Sequence, residues 1–273
     1  MTEFLHYFHI VLRWAHVVGG FLGLVLFWIV LALPKGTRWH LGCGKAFAWI
    51  AIFVGGSAAI SALWAVLHVH SFAPWLTRLS TTEAAKLHEI FDFFYLLLLF
   101  LGMATLTGAI FGRNVMRHRN DHLALRRTWL PVFEIFTGLS AIWLVAFGVC
   151  KLCGLGAPRV DLPWAVYQIP VILGLLGIWG TVSELKFIYG PGLGGREWLY
   201  KHVEQMFGTG IAFHTAFAVF GFARLSGIQF EGPLALAPWI VPPAIGFVAT
   251  SFYVKGLRRS NGDLPKPANS DAA

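Results

Sequence analysis

The chain is built from long blocks of apolar residues separated by short polar stretches, without the alternation typical of half-buried strands. About 20 consecutive apolar residues suffice for a helix to cross a bilayer. We therefore predict seven membrane helices, at approximately 7–33, 45–68, 90–112, 130–150, 164–187, 203–225 and 236–256. The Pro242-Pro243 pair is expected to kink the seventh or delay its start.

Composition agrees with this pattern. Of the 273 residues, 57% are hydrophobic and only 12% are charged, whereas a soluble domain has roughly a quarter of its residues charged. The sequence therefore predicts one all-α integral membrane helical bundle over residues 1–258 and a disordered cytoplasmic tail over 259–273.

Basic residues predict the orientation, because short loops rich in Lys and Arg remain in the cytoplasm. One set of helix ends carries Lys35, Arg38, Lys45, Arg113, Arg117, Arg119, Arg126, Arg127, Lys186, Arg196, Lys201, Lys255, Arg258 and Arg259, and the other set carries Arg78, Lys86, Lys151, Arg159 and Arg224. With seven spans, the N-terminus lies outside and the C-terminus in the cytoplasm. We predict a bacterial inner-membrane protein surrounded by lipid. The net charge of +8 does not indicate nucleic acid, because the cations lie in these loops.

A polar stripe marks the first predicted helix. His6, His9, Arg13 and His16 recur every three or four residues and share a face. A charge such as Arg13 within an apolar run usually faces a protein interior, a cavity or a ligand, and Asp92 of the third helix is its expected partner.

Histidines of other helices are predicted to join this outer half. They are His68, His70, His88 and, at a depth comparable with that of His16, His214. Imidazole ligates haem and metals, and haem in a helical bundle is usually held by histidines from facing helices. Haem b is one interpretation, with Arg13 near a propionate; another metal held by His6, His9 and His70 is a second. The alternative is interfacial histidines bonded to backbone or water, with an Arg13–Asp92 structural pair.

The predicted inner helix ends carry a second polar set: His40, Lys45, Glu134, Glu184 and His202. Carboxylates near membrane depth suggest a buried ion pair or a proton-handling site, and ordinary capping is the alternative. Cys150 and Cys153 lack a following His, so they are not a covalent haem motif; they form either a disulfide or a thiol pair.

Two segments resemble a family of uncharacterised bacterial multi-pass membrane proteins. LALPKGTRWHLGCGKAFAW is similar to that family's KG…H…G(K/R)…F segment, and GLLGIWGTVSELKFIYGP with KHVEQMFGTGIAFHTAFAVFG is similar to its closing segment. The matching positions are His40, Gly44, Lys45, Phe47, Glu184, His202, Met206, Gly208, Thr215 and Phe217. The resemblance implies a helical membrane protein without an established activity, and it draws attention to the inner face.

Three functions remain open from the sequence. The first is a haem b membrane redox protein exchanging electrons with quinone. The second is a proton-coupled transporter or permease using Arg13, Asp92, Glu134 and Glu184. The third is a non-catalytic assembly or partner subunit. The small-residue faces Gly55-Gly56 and Gly174, Gly177 and Gly180 would allow close helix contact, either with a helix of the same chain or with another membrane subunit. No nucleophile motif supports a membrane enzyme acting on lipid or quinone.

Overall fold

The computed structural model describes residues 2–68, 79–155, 164–191, 195–227, 234 and 236–264. Within these ranges the chain forms helices joined by turns and short irregular segments, without a β-strand. The predicted all-α class is therefore confirmed for the described chain.

Seven long helices account for most of the described residues. They are α1 (Thr2–Ala32), α2 (Arg38–Leu67), α3 (Thr81–Arg117), α4 (Leu130–Leu152), α5 (Trp164–Tyr189), α6 (Glu197–Ala216) and α7 (Ala237–Ser260). A 3₁₀ segment, His122–Arg127, connects α3 to α4. A π-helical segment, Phe217–Phe222, and a short turn, Ala223–Ser226, prolong α6.

Four helices, α1, α2, α3 and α6, begin at least five residues earlier than the apolar pattern predicts. For α2 and α3 the reason is a polar first turn that is stabilised by a cap. Thr37 precedes α2, and its Oγ1 accepts a hydrogen bond from the His40 backbone N–H at 3.3 Å. Ser80 and Glu83 form a reciprocal capping box at the start of α3. A hydropathy pattern detects only the part of a helix that faces lipid or core, so it misses such ends.

Six described helices, α1 to α5 and α7, are long and apolar enough to cross a membrane. The structure thus supports a multi-pass helical membrane protein. α6 does not meet that criterion by composition, because its first half carries Glu197, Lys201, His202 and Glu204.

The helix α3 is central and packs against α2, α4 and α6, while α1 packs on α2, α5 on α4 and α7 on α6. The crossing of α2 and α3 is close. A Cβ atom on Gly55 would lie 2.6 Å from the backbone nitrogen of Leu106, and one on Gly102 would lie 2.7 Å from that of Ala59. The backbones can approach this far only because both positions lack a side chain.

The predicted small-residue faces are confirmed in part. A Cβ on Gly174 would lie 2.7 Å from the Ala141 carbonyl oxygen, and one on Gly177 would lie 2.4 Å from the Phe100 ring. Gly180 has no neighbour within 4 Å of this position. These contacts join helices of the same chain, so they do not require a second subunit.

The C-terminal predictions also change. α7 starts at Ala237 and continues through Pro242 and Pro243, so the expected delay in its start is wrong. Both prolines lie in its second turn, where each removes one intrahelical hydrogen bond. The helix ends at Ser260, and most of the predicted tail, 265–273, lies outside the described residues.

Candidate functional site

A pair of carboxyl groups lies inside the bundle near its basic end. Glu134 is four residues into α4, about 6 Å from the helix start, and its side chain is almost fully buried, with 1% of its surface exposed. It lies beside Glu184, near the end of α5. Two acidic side chains from facing helices thus share one buried site.

The third wall of this site is α6. The Gln205 amide Nε2 donates a hydrogen bond to Glu184 Oε1, and the Lys201 Nζ lies 3.9 Å from the same oxygen. Lys201 and Gln205 are four residues apart, so they project from one face of the helix. We call Glu134, Glu184, Lys201 and Gln205 the carboxyl cluster.

The carboxyl cluster has more acidic than basic groups, and one of its buried oxygens lacks a hydrogen-bond donor within the described chain. It contains two carboxyl groups and one ammonium group, and Glu134 Oε1 has no hydrogen-bond partner among the described residues. A buried oxygen without a partner is costly, and like charges in contact cannot both ionise readily in a low-dielectric interior. One proton on the pair would neutralise the charge of the cluster.

Small and hydroxylated residues line the surrounding helix contacts. Thr107 on α3 and Thr137 on α4 are hydrogen-bonded at 2.8 Å between their Oγ1 atoms. A Cβ on Gly108 would lie 3.0 Å from Thr209 Oγ1, and one on Gly138 would lie 3.0 Å from Thr181 Cγ2. The helices around the carboxyl cluster therefore meet closely, and the hydroxyls of Thr107, Thr137 and Thr209 are bonded within the bundle.

A groove opens beside the carboxyl cluster at the ends of α5 and α6. Its volume is about 320 Å³, and it is lined by Ser183, Lys186, Phe187, Glu197, Lys201 and Glu204. The Lys201 side chain is 12% exposed, and its ammonium group lies 3.7 Å from Glu204 Oε2 on the groove side and 3.9 Å from Glu184 Oε1. Lys201 thus links the open groove to the buried carboxyl pair.

The other predicted inner residues lie beside the carboxyl cluster or away from it. His202 Nδ1 is 2.8 Å from the Gly112 carbonyl oxygen on α3, and His40 Nδ1 is 3.2 Å from the Val30 carbonyl oxygen on α1. Lys45 is exposed on α2. The predicted inner set therefore divides into a buried carboxyl pair, two histidines bonded to backbone and an outward-facing lysine.

The outer histidines do not converge. His16 Nδ1 is hydrogen-bonded to Ser57 Oγ on α2 at 2.9 Å. His214 instead accepts a hydrogen bond at Nε2 from the Trp28 indole N–H at 3.0 Å. Trp28 lies twelve residues beyond His16 on α1, which corresponds to about 18 Å. The expectation that His16 and His214 share a depth is therefore wrong.

His214 also has no nitrogen left for a ligand. Its Nδ1 lies 2.7 Å from the Gly210 carbonyl oxygen, and because Nε2 accepts from Trp28, Nδ1 carries the proton and donates. A neutral imidazole with both nitrogens bonded to protein does not fit an axial haem ligand.

The expected Arg13–Asp92 pair is also not formed. Arg13 is exposed on α1, and Asp92 Oδ2 lies 3.7 Å from His88 Nδ1, one turn earlier on α3. His68 is exposed and its ring lies tilted against that of Trp64, with ring centres 4.3 Å apart. The side chains of His6 and His9, and the whole of His70, lie outside the described residues.

The part of the chain that the structure describes contains no group of three or more His, Cys, Asp or Glu side chains suited to a metal ion. Cys150 and Cys153 are both free thiols and both exposed, so of the two alternatives the described state is the thiol pair.

An ion pair at the end of the bundle away from the basic loops was not predicted. Lys151 Nζ lies 3.2 Å from Glu89 Oε2, with only 10% and 2% of the side chains exposed, and the Tyr167 hydroxyl donates to Glu89 Oε1 at 3.1 Å. In the sequence, Lys151 follows an apolar run and therefore resembles a loop residue that indicates orientation. An apolar layer that includes Phe93, Leu97, Phe100 and Leu144 lies between this ion pair and the carboxyl cluster.

Comparison with protein-family models, with curated proteins and with solved structures finds no significant match for this chain.

Proposed function

We propose that this protein is a proton-coupled transporter of the bacterial cytoplasmic membrane, with the carboxyl cluster as its proton site and the groove as its inner entrance. The observation that carries the proposal is Glu134, a nearly fully buried carboxyl group facing a second carboxyl group within a membrane bundle. Intramembrane ionisable residues are costly and commonly belong to proton or substrate paths.

The arrangement of the charges supports proton binding. Lys201 supplies one positive charge beside Glu134 and Glu184 and shares it with Glu204 at the groove, so the cluster is neutral only when the carboxyl pair holds a proton. When that proton leaves, the cluster carries a negative charge, which favours the entry of another proton or of a cationic solute from the groove. The exchange of a proton for a solute at one site is the elementary step of coupled transport.

The proposal includes seven spans with the N-terminus outside. α6 is less apolar than the others because Lys201, Gln205 and Thr209 face the interior, and its extension to Ser226 makes it long enough to span a bilayer. With α6 counted, the basic helix ends lie on the cytoplasmic side. The groove then opens to the cytoplasm, and the apolar layer closes the path from outside.

The haem interpretation has less support. It requires histidines of separate helices to face one another with free nitrogens, whereas His16 is bonded to Ser57 and His214 to Trp28 and Gly210.

Proton binding is tested by infrared difference spectroscopy of the reconstituted protein across a pH titration. A protonated carboxyl C=O band that shifts in D₂O is expected in the wild type and is expected to be lost in Glu134→Gln. Glu83→Gln is the control, because Glu83 is exposed at the opposite end of the bundle and glutamine also serves in a capping box.

Transport is tested in proteoliposomes that contain a pH-sensitive dye, with an imposed membrane potential and a panel of cationic, anionic and neutral solutes. We expect solute-dependent proton movement in the wild type and in Glu83→Gln, and none in Glu134→Gln. Identical traces for wild type and Glu134→Gln with every solute would refute the proposal.

A further inference from the structure

A second polar feature lies outside the carboxyl cluster, on the outward side of α2 and α3. The guanidinium carbon of Arg113 lies 4.2 Å from the centre of the Trp49 ring. Both side chains are exposed, and Trp49 retains 55% of its surface. A cation over an indole face is a favourable contact, and it holds the Arg113 charge at the surface of the bundle.

Two more cations extend this feature by one helical turn. The helices α2 and α3 are antiparallel, with Gly55 opposite Leu106 and Trp49 opposite Arg113. The residues one turn further towards this end of the two helices therefore also lie opposite each other. These residues are Lys45 on α2 and Arg117 on α3, and both are exposed. Among the described side chains, Lys45, Arg113 and Arg117 form no ion pair with a carboxylate.

A glycine leaves space beside these cations. Gly42 lies one turn before Lys45 on the same face of α2, and a Cβ there would meet nothing within 4 Å. Glycine is less favourable than alanine within a helix, and no contact with a neighbouring helix of the described chain explains why position 42 is a glycine. The bare backbone gives a bulky group access to the Lys45 ammonium.

The outward face of α2 continues from the cations as an apolar surface. Phe53 lies one turn after Trp49, and Ile60 two turns further on, with 43% and 70% of their surfaces exposed. A ligand with an anionic head and apolar chains therefore matches the face from end to end.

We propose that this α2–α3 basic face, formed by Gly42, Lys45, Trp49, Arg113 and Arg117, binds an anionic phospholipid. The phosphate headgroup contacts the three cations, and the acyl chains lie along Phe53 and Ile60. Charge complementarity selects the occupant, because three unpaired cations at a membrane interface attract anionic headgroups and have no comparable attraction for zwitterionic ones.

The test is native mass spectrometry of the delipidated full-length protein, incubated in detergent with equal amounts of phosphatidylglycerol and phosphatidylcholine. The site variant is Lys45→Gln/Arg113→Gln/Arg117→Gln. The matched control is Arg127→Gln/Lys255→Gln/Arg259→Gln, which removes three exposed charges from the same end of the bundle.

We expect the wild type and the control to prefer phosphatidylglycerol, and the site variant to lose that preference by about tenfold or more. Equal lipid binding by the two triple variants, or equal binding of both lipids by the wild type, would overturn the proposal. Displacement of the bound lipid by millimolar inorganic phosphate would also overturn it, because the acyl chains would then contribute nothing to binding.

Helicity by circular dichroism and a single gel-filtration peak establish that each variant is folded. If the triple site variant is not folded, the same lipid comparison is made between Arg113→Gln and Arg127→Gln, which differ in the Trp49 contact.

Discussion

The carboxyl group of Glu134 on α4 faces that of Glu184 on α5 inside the bundle, although the two residues are 50 positions apart in the chain. α4 and α5 are antiparallel neighbours, so the first turns of one lie beside the last turns of the other. α6 completes the site with Lys201 and Gln205. A buried polar site of this kind needs three helices and appears in none of them alone.

The ion pair between Lys151 and Glu89 should behave as a buried pair. Lys151→Met leaves the Glu89 carboxylate without its cation, and we expect it to lower the free energy of unfolding by about 3 kcal/mol. Adding Glu89→Gln should restore part of this loss, because no uncompensated charge then remains. Thermal unfolding in detergent measures both effects. Additive losses in the double variant would show that the two side chains do not interact.

Two glycines of α5 should respond differently to substitution by alanine, because only one of them lies in close contact with α4. Gly174→Ala places a methyl group 2.7 Å from the Ala141 carbonyl oxygen, and we expect a loss of about 1–3 kcal/mol in the free energy of unfolding. Gly180→Ala meets nothing within 4 Å and should be neutral or slightly stabilising, because alanine favours helices. Equal melting temperatures for the two variants would contradict the close crossing.

The bonding of His214 predicts its behaviour towards haem. Because both ring nitrogens are bonded within the protein, titration with haemin should give the same Soret absorption for wild type and His214→Phe. The matched variant Trp28→Phe frees Nε2 and tests whether that bond is the obstacle. A Soret band present in wild type and lost in His214→Phe would restore His214 as a ligand.

Labelling of the three cysteines tests the orientation of the helices in the membrane. Cys150 and Cys153 are exposed at the end of α4 that lies away from the basic loops, and Cys43 lies near the basic start of α2. A membrane-impermeant maleimide added to intact spheroplasts should therefore label Cys150 and Cys153 but not Cys43. Variants that retain only one of these sites serve as controls for each other. The reverse labelling pattern would invert the proposed topology.

The sequence by itself determined the helical membrane class, because long apolar blocks with few charges have no other stable arrangement in a bilayer. It also placed Glu134 and Glu184 near the same end of the bundle, since basic loops mark that end. Helix starts such as Arg38 and Thr81 were missed, because their stabilisation comes from polar caps.

Only the tertiary structure decided which side chains meet. A membrane helix is apolar around most of its circumference, so its periodicity does not reveal its rotation or its neighbours. For that reason the sequence paired His16 with His214 and Arg13 with Asp92. Packing instead brings His214 to Trp28 and His16 to Ser57, and Asp92 contacts only its helical neighbour His88 among the ion pairs of the described residues. Close contacts at glycines such as Gly55 and Gly174 set the helix pairs, and those pairs determine which polar groups share the interior.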